Sequence, residues 1–545
     1  MASQNPMTDG VGGIPGNGTA TAEGFLAVLV NEVQRSPATY IIATLLLALG
    51  IAVTKLSNPT LDAREPPLWR PKIPVIGHLI GMIRHGPHYF KTIEREGVGI
   101  ATLPILNGKL YGVWDPFLAN AVNRNKDLLF EPFAVDFAQL QLGFRQDIMH
   151  ILADTDIVKD VFESIRAAMT APYVRKMNAR ALNYVSDELQ TIAAGKPLEL
   201  PNLYLWLRDL MSLATTEALY GHENPLRKDP SLLKEVWVFD EGLTGLMFTP
   251  FNKFTQRRTY QARARLQAAL ANYYGPGMDA NDDVAQLVKN RANAMRKNGM
   301  LSRDVGEFEI ALLHVATSNT IPTLFWFVAH VFHRPDLVAS LMDEVLPVVQ
   351  HGGDGNVTID IGDIDERCPL LVSCYREAVR ICNKGLGNRR ADKDTTISDG
   401  KGNTYLLKKG SNIQMSQEVF HSYEPAWGPN PTDYVAERFV EQGNGKPTDA
   451  EKIKKASYLP FGGGKHLCPG RTFAFAENLG LVAALVVGFE VTLLDADRKR
   501  ATEMISMDRS IFSSAVVKPL NHGEGLGARI KRRKGWETVI WRFTS

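Results

Sequence analysis

Apolar residues recur at three- and four-residue intervals over 157–169, 203–219, 232–243, 305–333, 335–349, 370–382 and 471–489. Each of these stretches predicts a helix with one face turned to a core. Short β-branched and aromatic runs at 99–103, 109–114, 404–407, 490–494 and 536–543 predict strands. Helical patterns dominate, so the expected class is mostly α with small β-sheets. No internal repeat or charge block divides the chain, and 78–545 reads as one catalytic-sized domain.

The pattern differs in kind near the start. Residues 1–20 are rich in Gly, Ser, Thr and Asn, and 1–37 reads as a tail containing one shorter apolar stretch, 24–30. Then "ATYIIATLLLALGIAVTKL", residues 38–56, runs without a charge until Lys55. It is long enough to cross a bilayer, and a buried helix of the globular domain is the competing reading. The late start and missing basic region argue against a cleaved signal peptide. Lys55, Arg64, Arg70 and Lys72 follow the run and only Arg35 precedes it, which orients the body of the chain to the cytoplasm. Asn17-Gly18-Thr19 would then be a usable glycosylation sequon. The proline-dense connector 57–77, with "EPPLWRPKIPVIG", predicts an extended, stiff hinge.

Composition removes some possibilities. A formal net charge of +2 over 545 residues argues against a nucleic-acid binder. Four cysteines, Cys368, Cys374, Cys382 and Cys468, are too few for a disulfide scaffold at this length, and no Cys-x-x-Cys points to zinc. Cys468 stands apart because it lies in the glycine-rich stretch "FGGGKHLCPG", 461–470, just before an apolar helix. A helix N-terminus favours thiolate over thiol. Gly462, Gly463 and Gly464 allow backbone to pass close to a flat body, and Phe461 can cover one side of it. Lys465 and His466 can meet carboxylates at its edge. A flat ring with edge carboxylates and a thiolate-binding metal is haem.

Here the sequence resembles the cytochrome P-450 family of haem-thiolate enzymes. Phe461, Gly464, Cys468 and Gly470 match its Phe-x-x-Gly-x-x-x-Cys-x-Gly signature. Glu377-x-x-Arg380 and the Arg438 of "AERF" stand where the family has a Glu-Arg-Arg cluster that locks the core around the haem loop. The resemblance implies the cytochrome P-450 fold from the hinge to the C-terminus. It also implies haem ligated by Cys468, whose thiolate pushes electron density onto iron, and a propionate contact near His466. The family's Trp-x-x-x-Arg is missing from the N-terminal half, which leaves the helical propionate ligand unnamed.

The distal helix departs from the family. Where Ala/Gly-Gly-x-Asp/Glu-Thr is usual, this chain reads "ATSNT", 316–320, then Ile321 and Pro322. Ala316 and Thr320 share a face, and Pro322 predicts a kink that frees the Ser318 carbonyl. Asn319 replaces the usual acid, and an amide can orient water but cannot ionise. Thr320 and Asn319 are therefore the candidate catalytic pair. The Asn-Thr-Ile-Pro variant resembles the branch with sterol and bile-acid hydroxylases and prostacyclin synthase.

That branch implies a lipophilic, steroid- or terpenoid-like substrate and leaves two reactions open. One is monooxygenation with electrons from an NADPH-dependent reductase at the endoplasmic reticulum membrane. The other is isomerisation or dehydration of an oxygenated lipid, and a haem sensor without turnover is a third class. The apolar stretch 236–251 reads as pocket roof or as ordinary core. Lys452, Lys454, Lys455 and Lys465 read as a docking face for an acidic donor or as solvated lysines. The basic run 529–535 reads as a solvated loop.

Overall fold

The computed structural model describes residues 37–495, apart from 107, 154, 250, 354 and 442–445, together with 507–508 and 514–545. Asn17 and the apolar stretch 24–30 lie outside the described residues.

Every predicted helix is present, with shifted ends. The pattern at 203–219 becomes Leu203–Tyr220, where the Asn202 side chain accepts from the Leu205 N–H and Gly221, at φ +67°, terminates it. Pro369 opens Pro369–Cys382 at a position that needs no N–H donor. The expected helix 305–333 is two helices, Ser302–Thr317 and Thr320–Phe332, broken at Ser318 and Asn319. Pro322 has no N–H for the Ser318 carbonyl and its ring crowds that oxygen, so the break falls one turn before the proline. Its central half is packed on nearly all sides, with Phe325, Trp326 and Phe327 buried.

Strand predictions hold for Ile100–Ile105, Gly108–Val113, Thr404–Leu407 and Phe489–Leu494. The run at 536–543 contributes only Ile540–Thr544, which pairs parallel to Asn356–Asp360. Trp536 turns back instead and stacks on Trp541, ring centroids 5.4 Å apart. The largest sheet has five strands, in the order Ile100–Ile105, Gly108–Val113, Asn412–Ser416, Leu386–Ala391 and Leu128–Leu129. The basic run is a strand in its first part, where Gly527–Arg532 pairs with Phe489–Leu494 and Leu198–Leu200, and a turn over 533–535. Alternation puts Ile530 and Arg532 inside and Arg529 and Lys531 outside. Arg532 is satisfied by the carbonyls of Leu189 and Ile192.

Helix Pro37–Ser57 touches the domain only at its end; its apolar side chains are exposed, and it is long and apolar enough to cross a membrane. This answers the buried-helix alternative, because no core covers it. The connector after it is extended but stitched down: Trp69 and Thr102 bond through N–H to Thr102 and Pro67 carbonyls at 2.8 Å. Buried Glu65 accepts from Tyr111 Oη at 2.6 Å and pairs with Lys109.

Candidate functional site

Loop 461–470 folds back on itself through the Cys468 N–H, which donates to the Phe461 carbonyl at 2.9 Å. Gly464 sits at φ +63°, and a Cβ there would lie 1.8 Å from the Asn123 carbonyl oxygen. Only glycine satisfies both constraints. Gly470, at φ −78°, needs no such freedom; a Cβ there would touch the Cys468 Sγ at 3.9 Å. The loop delivers Cys468 to the start of helix Arg471–Gly488.

The four thiols divide sharply. Cys368, Cys374 and Cys382 are fully buried, and burial pushes each up to about 12, so they are inert packing groups. Cys468 alone is partly exposed. Its thiol is also raised, because burial outweighs the Gly470 and Arg471 N–H groups that pull it down. A metal cation at Sγ would favour the thiolate.

Behind the loop, the Glu-Arg-Arg residues meet. Arg380 binds Glu377 bidentately, Nε and Nη2 each at 2.7 Å, and both side chains are buried. Arg438 Nε reaches Glu377 Oε1 at 2.9 Å, and the Val435 N–H adds a bond at 3.1 Å. The spare Arg380 nitrogens take the carbonyls of His421, Pro431 and Asp433. A pair that would be weak on a surface is here a fully satisfied internal network.

The ring edge is where sequence reasoning missed most. His466 is packed between Phe130 and Phe162, at 5.8 and 6.2 Å between centroids. Phe162 lies on helix Thr155–Ala168, four residues before Arg166; burial, with a smaller push from the charges of Arg389, Lys465 and Arg166, brings His466 down to about 4 against the pull of Glu131. Admitting any aromatic four residues before an arginine gives three candidates in the N-terminal half, Phe162/Arg166, Tyr204/Arg208 and Phe254/Arg258, and only the packing against His466 selects the first. Arg389, on strand Leu386–Ala391, donates to Asn123 Oδ1 at 2.8 Å and approaches the Gly463 carbonyl at 3.4 Å. Burial brings its guanidinium down to about 10. Among the described residues, the buried Arg389 Nε has no hydrogen-bond partner, and His466 Nε2 has only the Glu131 carboxylate at 3.4 Å. An unsatisfied arginine nitrogen and a weakly held imidazole beside a partly exposed cysteine and a glycine cradle fit a flat ring with anionic edge groups.

On the distal side, Phe308, Ala311, Val315, Ala316 and Asn319 occupy the face of the central helix that other helices leave uncovered, with Val315 61% exposed. Thr320 Oγ1 turns to Asn478 Oδ1 of helix Arg471–Gly488 at 3.5 Å. Asn319 Oδ1 accepts from the Ala515 and Val516 N–H groups at 3.1 and 3.2 Å and from Ser514 Oγ at 3.2 Å. Another cluster joins the roof to this helix: Asp240 accepts from His314 Nε2 at 2.9 Å and pairs with Lys518. Asp240 belongs to helix Ser231–Phe248, so most of the apolar stretch 236–251 is helical, with Trp237, Phe239 and Leu243 in the core. Phe251 and Phe254 beyond it are 81% and 78% exposed. Of the four lysines, Lys454 bonds the Arg438 carbonyl, Lys452 pairs with Asp449, Lys465 with Glu131, and Lys455 is exposed.

A fold of this kind with a cysteine loop and buried Glu-Arg-Arg cluster defines a class, and comparison with known proteins gives the same answer. The family model "Cytochrome P450" matches residues 247–512. A cytochrome P450 monooxygenase of Gibberella zeae is 40% identical over 501 residues, covering 91% of this chain and 95% of that protein. The cholesterol 7-alpha-monooxygenase of Cricetulus griseus is 27% identical, covering 84% of this chain and 92% of that one. The solved structure of a retinoic acid-bound cyanobacterial CYP120A1 shares the fold, with TM-score 0.64 and 15% identity over 87% of this chain and 100% of that one. The chain belongs to the cytochrome P450 family and is an oxidoreductase of the monooxygenase type. Membership implies haem held through a cysteine thiolate.

Proposed function

We propose that this protein is a membrane-anchored monooxygenase that inserts one oxygen atom from dioxygen into a lipophilic, steroid- or terpenoid-like substrate. Electrons come from NADPH through a separate reductase. The observation that carries the reading is Cys468, the only partly exposed thiol of the four, presented by a glycine cradle beside the unsatisfied, buried Arg389 Nε. Haem bound there supplies thiolate-assisted activation of oxygen. Cys468 would hold it through Sγ. Arg389, His466 and Arg166 would hold its acidic edge, and Phe461 would cover one face.

The chain's own residues do the rest. The uncovered face from Phe308 to Asn319 is apolar except at its end, which suits a hydrocarbon skeleton and excludes bulk water from it. Thr320 lies one turn from Ala316, and its hydroxyl, which donates weakly to Asn478 Oδ1, would have to leave that contact to serve a water at the break. Asn319, with its carbonyl oxygen engaged by 514–516, offers a water only the N–H groups of its amide. Helix Pro37–Ser57 supports anchoring at the endoplasmic reticulum with the domain in the cytosol, and exposed Phe251 and Phe254 support a second contact with lipid. The steroid-like assignment draws on the cholesterol hydroxylase relative.

The test is turnover of a sterol and terpenoid panel in membranes, with and without NADPH and reductase. Oxygenated product that requires both supports the reading. Product formed from a lipid peroxide without either would replace it with an isomerase.

A further inference from the structure

Asn319 opens helix Thr320–Phe332, yet its side chain makes no bond to that helix. The free N–H groups of a helix start are the usual partners of an asparagine in this place. Pro322 has already removed one of them, and Asn319 points elsewhere. Its single Oδ1 takes the Ala515 and Val516 N–H groups and shares the Ser514 hydroxyl proton with the Val516 carbonyl, all in the short strap 514–516.

The strap is held at other points by separate parts of the fold. The Lys384 N–H donates to the Ala515 carbonyl at 2.8 Å, and the Val517 N–H to that of Cys382 at 2.9 Å. Trp326 Nε1 donates to the Val517 carbonyl at 2.8 Å. A Cβ on Gly385 would lie 2.6 Å from the Ala515 Cα, so the two backbones are in close contact. One residue beyond Val517, Lys518 pairs with Asp240 on helix Ser231–Phe248. The strap thus runs from the break in the distal helix, past the strand that carries Arg389, to the roof. Through Asn319 the strap is fixed to the end of the uncovered face that carries Val315 and Ala316.

We propose that Asn319 is a positioning residue, whose Oδ1 fixes strap 514–517 as a wall of the substrate chamber and so sets how long a molecule that wall admits. This rests on the monooxygenase reading of the same site. It also accounts for an amide in place of an acid. Three neutral donors need one acceptor, and a neutral carbonyl supplies it without placing a net charge beside an apolar chamber.

The test uses the haem-loaded full chain and two azole probes, imidazole, which is short, and ketoconazole, which extends far from its ligating nitrogen. Asn319→Leu, close in shape but without an acceptor, should weaken ketoconazole about tenfold, as expected for roughly one net hydrogen bond, and imidazole hardly at all. Amide hydrogen exchange should speed up at Ala515 and Val516 but not at Lys384. Asn319→Asp, which keeps an acceptor but adds a charge beside the apolar chamber, should restore slow exchange at Ala515 and Val516 but not full ketoconazole affinity, and a merely structural defect would not separate the two azoles. Should Asn319→Leu fail to fold, Ser514→Ala removes one donor and should give a smaller change in the same direction. Unaltered exchange and ketoconazole affinity in either variant overturn the proposal. Wild-type protein that binds neither azole would instead overturn the haem reading, while exchange at 515 and 516 still decides the clamp.

Discussion

Arg438 Nε lies 2.9 Å from Glu377 Oε1, joining a loop to a helix 61 residues earlier. Glu377 is fully buried and Arg438 nearly so, and the same carboxylate already holds Arg380. Removing one member of such a network leaves an uncompensated buried charge, which costs about 3–5 kcal/mol. Glu377→Gln is therefore expected to lower the melting temperature sharply and to purify largely without haem. Arg438→Lys should recover little, because an ammonium cannot reproduce the planar contacts to Glu377 and the Trp427 carbonyl.

Cys468→Ala should abolish the red-shifted Soret band of the reduced carbon monoxide complex together with activity. Cys382→Ala should leave the band in place, since its thiol is sealed in the core. A thiolate-type band surviving in Cys468→Ala would name a different ligand.

Removal of residues 1–56 should release part of the protein from membranes with haem retained. Helix Pro37–Ser57 contributes almost no buried surface to the domain, so its loss costs the core little. Release should become complete when Phe251→Ser and Phe254→Ser are added, because these rings are the large exposed apolar groups beside the roof helix. Fractionation and the haem-to-protein ratio measure both effects.

Glu477, fully buried on the helix that follows the cysteine loop, is pushed up to about 8 by burial, against one hydrogen bond from Thr215 Oγ1. Its folded pKa lies above the unfolded value of 4.5, so the folded state binds the extra proton. That contribution is complete below about pH 4.5 and is lost as pH rises through about 8. Denaturation of wild type and Glu477→Gln across this window should show their difference growing with pH, in favour of the glutamine variant at the alkaline end.

Thr320→Ala should lower product formed per NADPH and raise hydrogen peroxide release, with substrate binding nearly unchanged. Positioned proton delivery is typically worth about 10²- to 10⁴-fold in rate. An unaltered ratio in a working monooxygenase would take Thr320 out of the relay.

Local chemistry made parts of this protein readable from sequence alone. Gly464 and Cys468 lie four residues apart, so a backbone that tolerates φ +63° and a thiol at a helix start are encoded in one short stretch. The charge-free run before Lys55 needs no partner to be apolar, and Pro322 breaks its helix through its own ring. Tertiary structure alone decided the pairing of Asn319 with Ala515 and Val516, nearly two hundred residues away, and of Asp240 with His314 and Lys518. It also brought Phe162, Arg166 and Arg389 to His466, and turned the first part of the basic run at 529–535 into a strand with Arg532 inward. The reason is directional. A side chain's period tells which face it shares with its neighbours, but an asparagine or arginine can satisfy itself on any chain that packing brings within 3 Å or so. Which chain arrives is settled by burial of the core, and no spacing along the sequence records it.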